Sequence, residues 1–337
     1  MIKKILISAF VLLSLQSCSQ KKETMINQNP TITSDNIVDE IAKQVKHYSS
    51  EKIYKIRYAN NECYFEMFLD DVRVIKSNNN VISNTATEIN HLISKSGKHT
   101  ITYKMYPLGE AKEFYNEVFN TFTDNTDLDF KFKSYDMKNE DAQDKEYMRY
   151  AVPKTEEKVT ENYSKYKFVA TGKTYYEGSF DIEVDVPYTL NFPFENAQDL
   201  RKMDKKQLEE KLLKKYKEVA QVYQNKELDN IARLEFNSLR DLYVSNYDTK
   251  ETIAENLNPL FKEIYRSKSF QVQPIENYKL EFFADGKLVA LMQDTMDNRF
   301  RGQNALWAKV DYDGGLRPIF LNRYYYIPQG ETEFQAY

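Results

Sequence analysis

Phe180-Asp181-Ile182-Glu183-Val184-Asp185-Val186 sets Phe, Ile and Val on one side of an extended chain and three acids on the other. Alternation with a period of two is what a half-buried β-strand needs, because successive side chains point to opposite faces of a sheet. Thr100-Ile101-Thr102-Tyr103-Lys104-Met105-Tyr106 repeats the pattern after a Ser96-Gly97-Lys98 turn and stops at Pro107. Cys63 to Leu69, the Asp70-Asp71 turn and Val72-Arg73-Val74 read as a hairpin. Further strands are predicted at 128–133 and 166–170, and the charged stretch from Lys138 to Glu161 as a loop. Short alternating strands separated by turn residues predict an antiparallel β-sandwich over residues 51–200.

The period changes at Asp204, which with Gln207 three residues on forms a capping-box pattern. Leu208, Leu212, Tyr216, Val219 and Tyr223 then make a helical stripe. A second helix is predicted over 227–244, and a third opens at an Asp248–Glu251 box and is kinked or shortened by Pro259. Residues 201–268 are therefore read as a helical segment. From Tyr278 the chain is β again, with a hairpin at Asp285-Gly286, a strand at 305–310 and a returning strand over 317–327. These predict a compact four-stranded C-terminal β module within residues 269–337. The fold class is α+β, mainly β.

The first residues, Met1-Ile2-Lys3-Lys4, are basic, and the apolar run Ile5 to Leu15 is shorter than the roughly 20 residues a membrane-spanning helix needs. That is the pattern of a secretory signal. Leu15-Gln16-Ser17-Cys18 follows, and it resembles the lipobox of bacterial lipoprotein precursors; Gln16 departs from the small or apolar residue usual there. The resemblance implies a signal peptide over 1–17, lipid on Cys18, and a lipid-anchored tether over 18–50 with a short helix around Ile37-Val38-Ile41-Val45. It also implies a membrane partner through that lipid. Ser19 after the Cys favours the outer membrane, facing the periplasm or the cell surface. The alternating segments around 63–106 and 278–328 resemble uncharacterised Gram-negative β-sandwich lipoproteins, a likeness of pattern that carries no site across.

Composition narrows function by elimination. Net charge is −4, and about −6 once Lys3 and Lys4 leave with the signal, which argues against nucleic acid as a partner. With Cys18 lipidated, Cys63 has no disulfide partner and is expected as a buried, inert thiol. No G-x-S-x-G, H-E-x-x-H, P-loop or G-x-G-x-x-G occurs, and no catalytic residue, metal or cofactor is expected. His91 and His99 flank the Ser96-Gly97 turn and would approach each other across a hairpin from Asn90 to Met105. Asp124, Asp127 and Asp129 have the spacing of a Ca²⁺ loop without its central Gly or distal Glu, and a polar turn is the better reading. The positive feature is 26 Tyr and 20 Phe against one Trp. Consecutive tyrosines at Tyr175-Tyr176 and Tyr324-Tyr325-Tyr326 occupy both faces of a strand, so they are the expected binding surface. The expected function is a non-enzymatic binding lipoprotein engaging a protein partner, as an immunity or envelope-assembly factor. The alternative is a carbohydrate-binding component of a surface glycan system. A carboxylate-based hydrolase remains a third reading.

Overall fold

The computed structural model describes residues 26–77, 82–110, 118–139, 143–295, 297 and 299–337. Cys18 and the signal-like run lie outside the described residues. The architecture is mainly β with antiparallel sheets, a helical segment in mid-chain and further antiparallel sheets at the C-terminal end.

The strands are β1 (Lys52–Asn61), β2 (Tyr64–Leu69), β3 (Val72–Lys76), β4 (Ile82–Glu88), β5 (Gly97–Tyr106) and β6 (Asp127–Asp136). They are followed by β7 (Lys145–Ala151), β8 (Lys154–Thr160), β9 (Tyr163–Phe168) and β10 (Tyr176–Val184). One sheet runs β4-β1-β6-β7 and the other β10-β5-β2-β3, every neighbour antiparallel. Ile53, Ile56, Phe130 and Phe132 of the first share a core with Phe65, Met67, Ile101, Tyr103, Phe180 and Ile182 of the second. The two sheets thus close on each other as a sandwich, as the alternation predicts. Gly178 is required inside it: a Cβ there would lie 2.2 Å from the Tyr103 hydroxyl.

The stretch from Lys138 to Glu161, expected as a loop, instead supplies β7 and β8. Its charge reflects solvation of strands rather than lack of structure: every residue of β8 is exposed, and β8 pairs with β9 in a two-stranded hairpin. No hairpin joins Asn90 to Met105. Asn90–Leu92 is a 3-10 turn, and β5 pairs with β10 and β2.

Helices α1 (Ile37–Ala42), α2 (Lys205–Asn225), α3 (Leu228–Ser245) and α4 (Lys250–Pro259) follow the helical stripes. Asp204 caps α2 by accepting from the Gln207 N–H at 2.9 Å. The cap of α4 is Thr249, accepting from Thr252, and not Asp248. Pro259 ends α4, and the chain continues as one π turn over Leu260–Ile264.

Residues 26–50 are not a free tether. Ile26, Ile32, Ile37 and Ile41 are buried in the helical core, and the Gln28 carboxamide donates to the Arg233 carbonyl at 3.1 Å. The last part of the chain is not one four-stranded module either. It divides into β11 (Gln271–Val272), β12 (Tyr278–Phe283), β13 (Leu288–Gln293), β14 (Trp307–Tyr312), β15 (Gly315–Phe320), β16 (Tyr325–Tyr326) and β17 (Gln335–Ala336). These form a sheet β11-β14-β15 and a second sheet β12-β13-β16-β17.

The reason lies in β13. Leu288, Ala290 and Met292 enter the sandwich core, whereas Val289 and Leu291 enter the core shared with the helices. A strand buried on both faces reads as a continuous apolar run rather than an alternating one. Tyr325 and Tyr326 divide the same way, the first to the helical core and the second to the sandwich core. The helical segment and the C-terminal strands therefore share one core, and the boundary expected at 268/269 separates nothing.

Candidate functional site

The turn joining β2 to β3 is made by Asp70 and Asp71, both with positive φ (47° and 62°), as a tight two-residue hairpin requires. It sends β3 back along β2 as the last strand of its sheet, with an irregularity opposite Met67 and Phe68. Beyond β3 lies an open cleft of about 640 Å³, lined by Val72 to Lys76 on one side and by Leu239 and Leu242 of α3 on the other. Clefts at the junction of two cores are the usual place for a binding site. Lys76 also borders a smaller pocket of about 230 Å³, which holds Glu66, Tyr106, Lys279, Glu281 and Arg301.

Charge in this region is organised. Arg73, with its side chain 8% exposed, pairs with Glu66 at 3.2 Å and donates to the Gly302 carbonyl. The other Glu66 oxygen accepts from the Tyr106 hydroxyl at 3.1 Å. Lys279 pairs with Glu281 at 2.9 Å. The Arg301 guanidinium lies 5.6 Å from the centre of the Tyr106 ring, a cation–π contact. Among the described residues it forms no ion pair. The Lys76 amine is pushed down to about 8, chiefly by burial and further by the Arg301 and Arg73 cations, against the pull of Glu66. Burial pushes His91, on the cleft wall, down to about 4, so it is neutral at pH 7.

The 300–303 loop approaches the sandwich through Gly302, at φ +70°. A Cβ on it would stand 3.2 Å from Glu66 Oε1 and 3.3 Å from Lys76 Cδ. Glycine is needed for both reasons.

The sequence-predicted tyrosines separate. Tyr175 is 43% exposed, and its ring lies 5.6 Å from that of Tyr106, at the rim of the smaller pocket. Half-buried Tyr324 lines the large cleft and stacks edge-on to Phe283. Tyr176 packs inward against Tyr103 and Phe168. Tyr325 and Tyr326, at 0% and 2% exposure, present no surface, which corrects the expectation for them. Both faces of their strand are covered by a core. Among the described residues the most solvated tyrosines are Tyr163 and Tyr166 on the β8–β9 hairpin.

Other candidate chemistry resolves locally. His99 is buried: Nδ1 meets Asp70 at 2.5 Å and Nε2 the Lys95 carbonyl at 2.9 Å. Asp124 and Asp127, in the Ca²⁺-like turn, are paired with Lys165 at 3.3 Å and Lys154 at 2.8 Å. Among the described residues no group of three His, Cys, Asp or Glu could hold a metal. Cys63 is buried, and burial pushes its thiol well up.

Sequence reasoning missed Glu66, Arg73, Lys76 and Arg301. They come from strands and a loop more than 200 positions apart, and each alone reads as surface charge. The usable signal was indirect: the unbroken apolar run 288–292 marks a strand with a core on either side, hence a junction.

No protein-family model, curated protein or solved structure matches the chain. Among the described residues, no helix is long and apolar enough to cross a membrane.

Proposed function

We propose that the protein is a non-enzymatic binding protein, held at the outer membrane by lipid on Cys18, whose cleft beside β3 receives a protein partner. The observation that carries this reading is the cleft of about 640 Å³ at the junction of the two cores, with Arg73 and Lys76 on its β3 wall and Arg301 in the adjoining pocket that Lys76 also borders. A local excess of cations in a chain of net charge −4 marks a recognition surface, because the field steers and orients an oppositely charged ligand. The carboxylates present are engaged: Glu66 by Arg73 and Tyr106, Glu281 by Lys279. That arrangement orients a ligand rather than transferring protons to one.

The test is capture of the carboxyl-terminally tagged full chain from its own cells, with a photo-crosslinking residue in place of Leu239 on the cleft wall. One stoichiometric protein crosslinked from position 239 is expected. Capture of the chain alone from that position would refute the reading. Cys18→Ser is expected to move the protein from the membrane to the soluble fraction, and unchanged membrane retention would remove the lipid anchor.

A second reading, a carbohydrate-binding component, is favoured by one feature. Trp307 and Phe300 stand 5.3 Å apart, centre to centre, in a separate open pocket of about 360 Å³ bordered by Gln273, Asn277 and Gln293. Aromatic rings with planar amides beside them suit a sugar. Glycan retention lost in Trp307→Ala would favour it, and retention unaffected by that change would set it aside.

A further inference from the structure

The large cleft is bounded along one side by five consecutive residues of a single strand, Val72 to Lys76. That strand is the edge of its sheet: β2 pairs one side of it, and among the described residues no strand pairs the other. An edge strand carries a row of N–H and C=O groups directed away from its sheet, and proteins normally blunt such edges with a bulge, a charge or a covering element. β3 has the bulge and ends on Lys76, and α3 stands across from it. Yet α3 leaves an open space of about 640 Å³ rather than packing onto the edge. Covering alone would leave no such space.

The far wall offers apolar contact through Leu239 and Leu242, and the end of the cleft offers charge. Arg301 reaches the pocket that Lys76 shares with the cleft, and its guanidinium rests on the Tyr106 ring with no carboxylate paired to it among the described residues. Glu66, which lines the same pocket as Arg301, is held by Arg73 and Tyr106. An unpaired edge, an apolar wall and a cation without an acid are the three things an extended acidic peptide would satisfy together. Main-chain hydrogen bonds give such strand addition its affinity, and pockets for alternate side chains give its specificity.

From this we infer that β3 is a docking strand: an extended acidic segment of the partner protein adds beside it in the cleft and sets a carboxylate against Arg301 and Lys76. This rests on the cleft being the partner site, and it names the chemistry of what enters.

The experiment uses the full chain in detergent and three probes: an acetylated, amidated (Val-Glu)3 peptide, its (Val-Lys)3 counterpart, and inorganic phosphate. The readout is amide hydrogen exchange at residues 72–76, together with titrated affinity. The acidic peptide is expected to slow exchange at alternate β3 amides at least tenfold. Arg301→Gln is expected to weaken it about tenfold, and the basic peptide to give no protection. If Arg301→Gln does not fold, Leu239→Trp fills the cleft from the opposite wall and is expected to abolish protection.

Unchanged β3 exchange at millimolar acidic peptide would overturn the inference, as would equal protection by the basic peptide. Phosphate binding at Lys76 and Arg301 without peptide protection of β3 would also overturn it, leaving a small-anion site. A partner crosslinked at position 239 alongside any of these results would retain the cleft reading and reject only strand addition.

Discussion

Lys76 is an amine held where burial and two guanidiniums oppose its charge, so replacing it should stabilise the fold while removing binding. Its ordinary value of 10.5 falls to about 8. A drop of that size corresponds to at most about 3 kcal/mol of unfavourable charging in the folded state. Lys76 is half-buried rather than enclosed, and solvent screening trims the figure to about 1–2 kcal/mol. Below pH 8 the amine is protonated in both states and the whole cost is present. Between pH 8 and about 10.5 the folded protein releases this proton while the unfolded chain keeps it, so wild-type stability rises with pH across that window. Lys76→Met should therefore be more stable than wild type by about 1–2 kcal/mol at pH 7. The gain should shrink toward zero near pH 10.5. Urea unfolding at pH 7, 8, 9 and 10 measures it, with the midpoint and slope fitted separately. A variant less stable than wild type at pH 7, or an advantage that does not fall with pH, would refute the electrostatic account of Lys76.

Gly302→Ala combines a left-handed backbone with a Cβ pressed on Glu66 and Lys76, and should cost about 1–2 kcal/mol; urea unfolding checks this. The Asp70 carboxylate raises the value for His99, so its stabilisation is complete below the unfolded value near 6.5 and lost as pH rises through the higher folded value. His99→Gln should abolish that pH dependence, followed by thermal unfolding from pH 5 to 9. Buried Glu235 accepts from Arg323 at 2.5 Å, from Tyr223 at 2.7 Å and from Tyr265 at 2.6 Å. Arg323→Met strands that carboxylate and should cost about 3–5 kcal/mol, and adding Glu235→Leu should recover part of the loss; calorimetric melting of both variants measures it.

Much of the architecture was legible because it is written with local periods. The two-residue alternation around Ile101 and Ile182 located β5 and β10, and the stripe from Leu208 to Tyr223 located α2 together with its Asp204 cap. Charge misled where it was taken for a loop: β8 is exposed along its whole length, and β7 sets only Met148 and Tyr150 against the sandwich core among charged neighbours. Reading 26–50 as a tether failed for a related reason. Its isoleucines are sparse, and only the groove offered by the helices makes them a buried set. The tyrosine runs were identified as candidate surface, yet whether a tyrosine is wet depends on what covers it. Tyr175 lies against Tyr106 beside the smaller pocket, whereas Tyr325 is enclosed against Tyr216.

By itself the sequence determined the mainly β class, the alternating strands such as β5 and β10 and the helix α2, because strand and helix periods and caps are set by neighbours within a few residues. Tertiary structure alone decided that β13 runs between two cores, that β3 is left at an edge, and that Glu66, Arg73, Lys76 and Arg301 meet beside it. Those outcomes depend on contacts across more than 200 positions, where no local period operates. The physical cause is the hydrophobic burial of both faces of one strand, which draws two halves of the chain together and leaves their polar margins facing across a cleft.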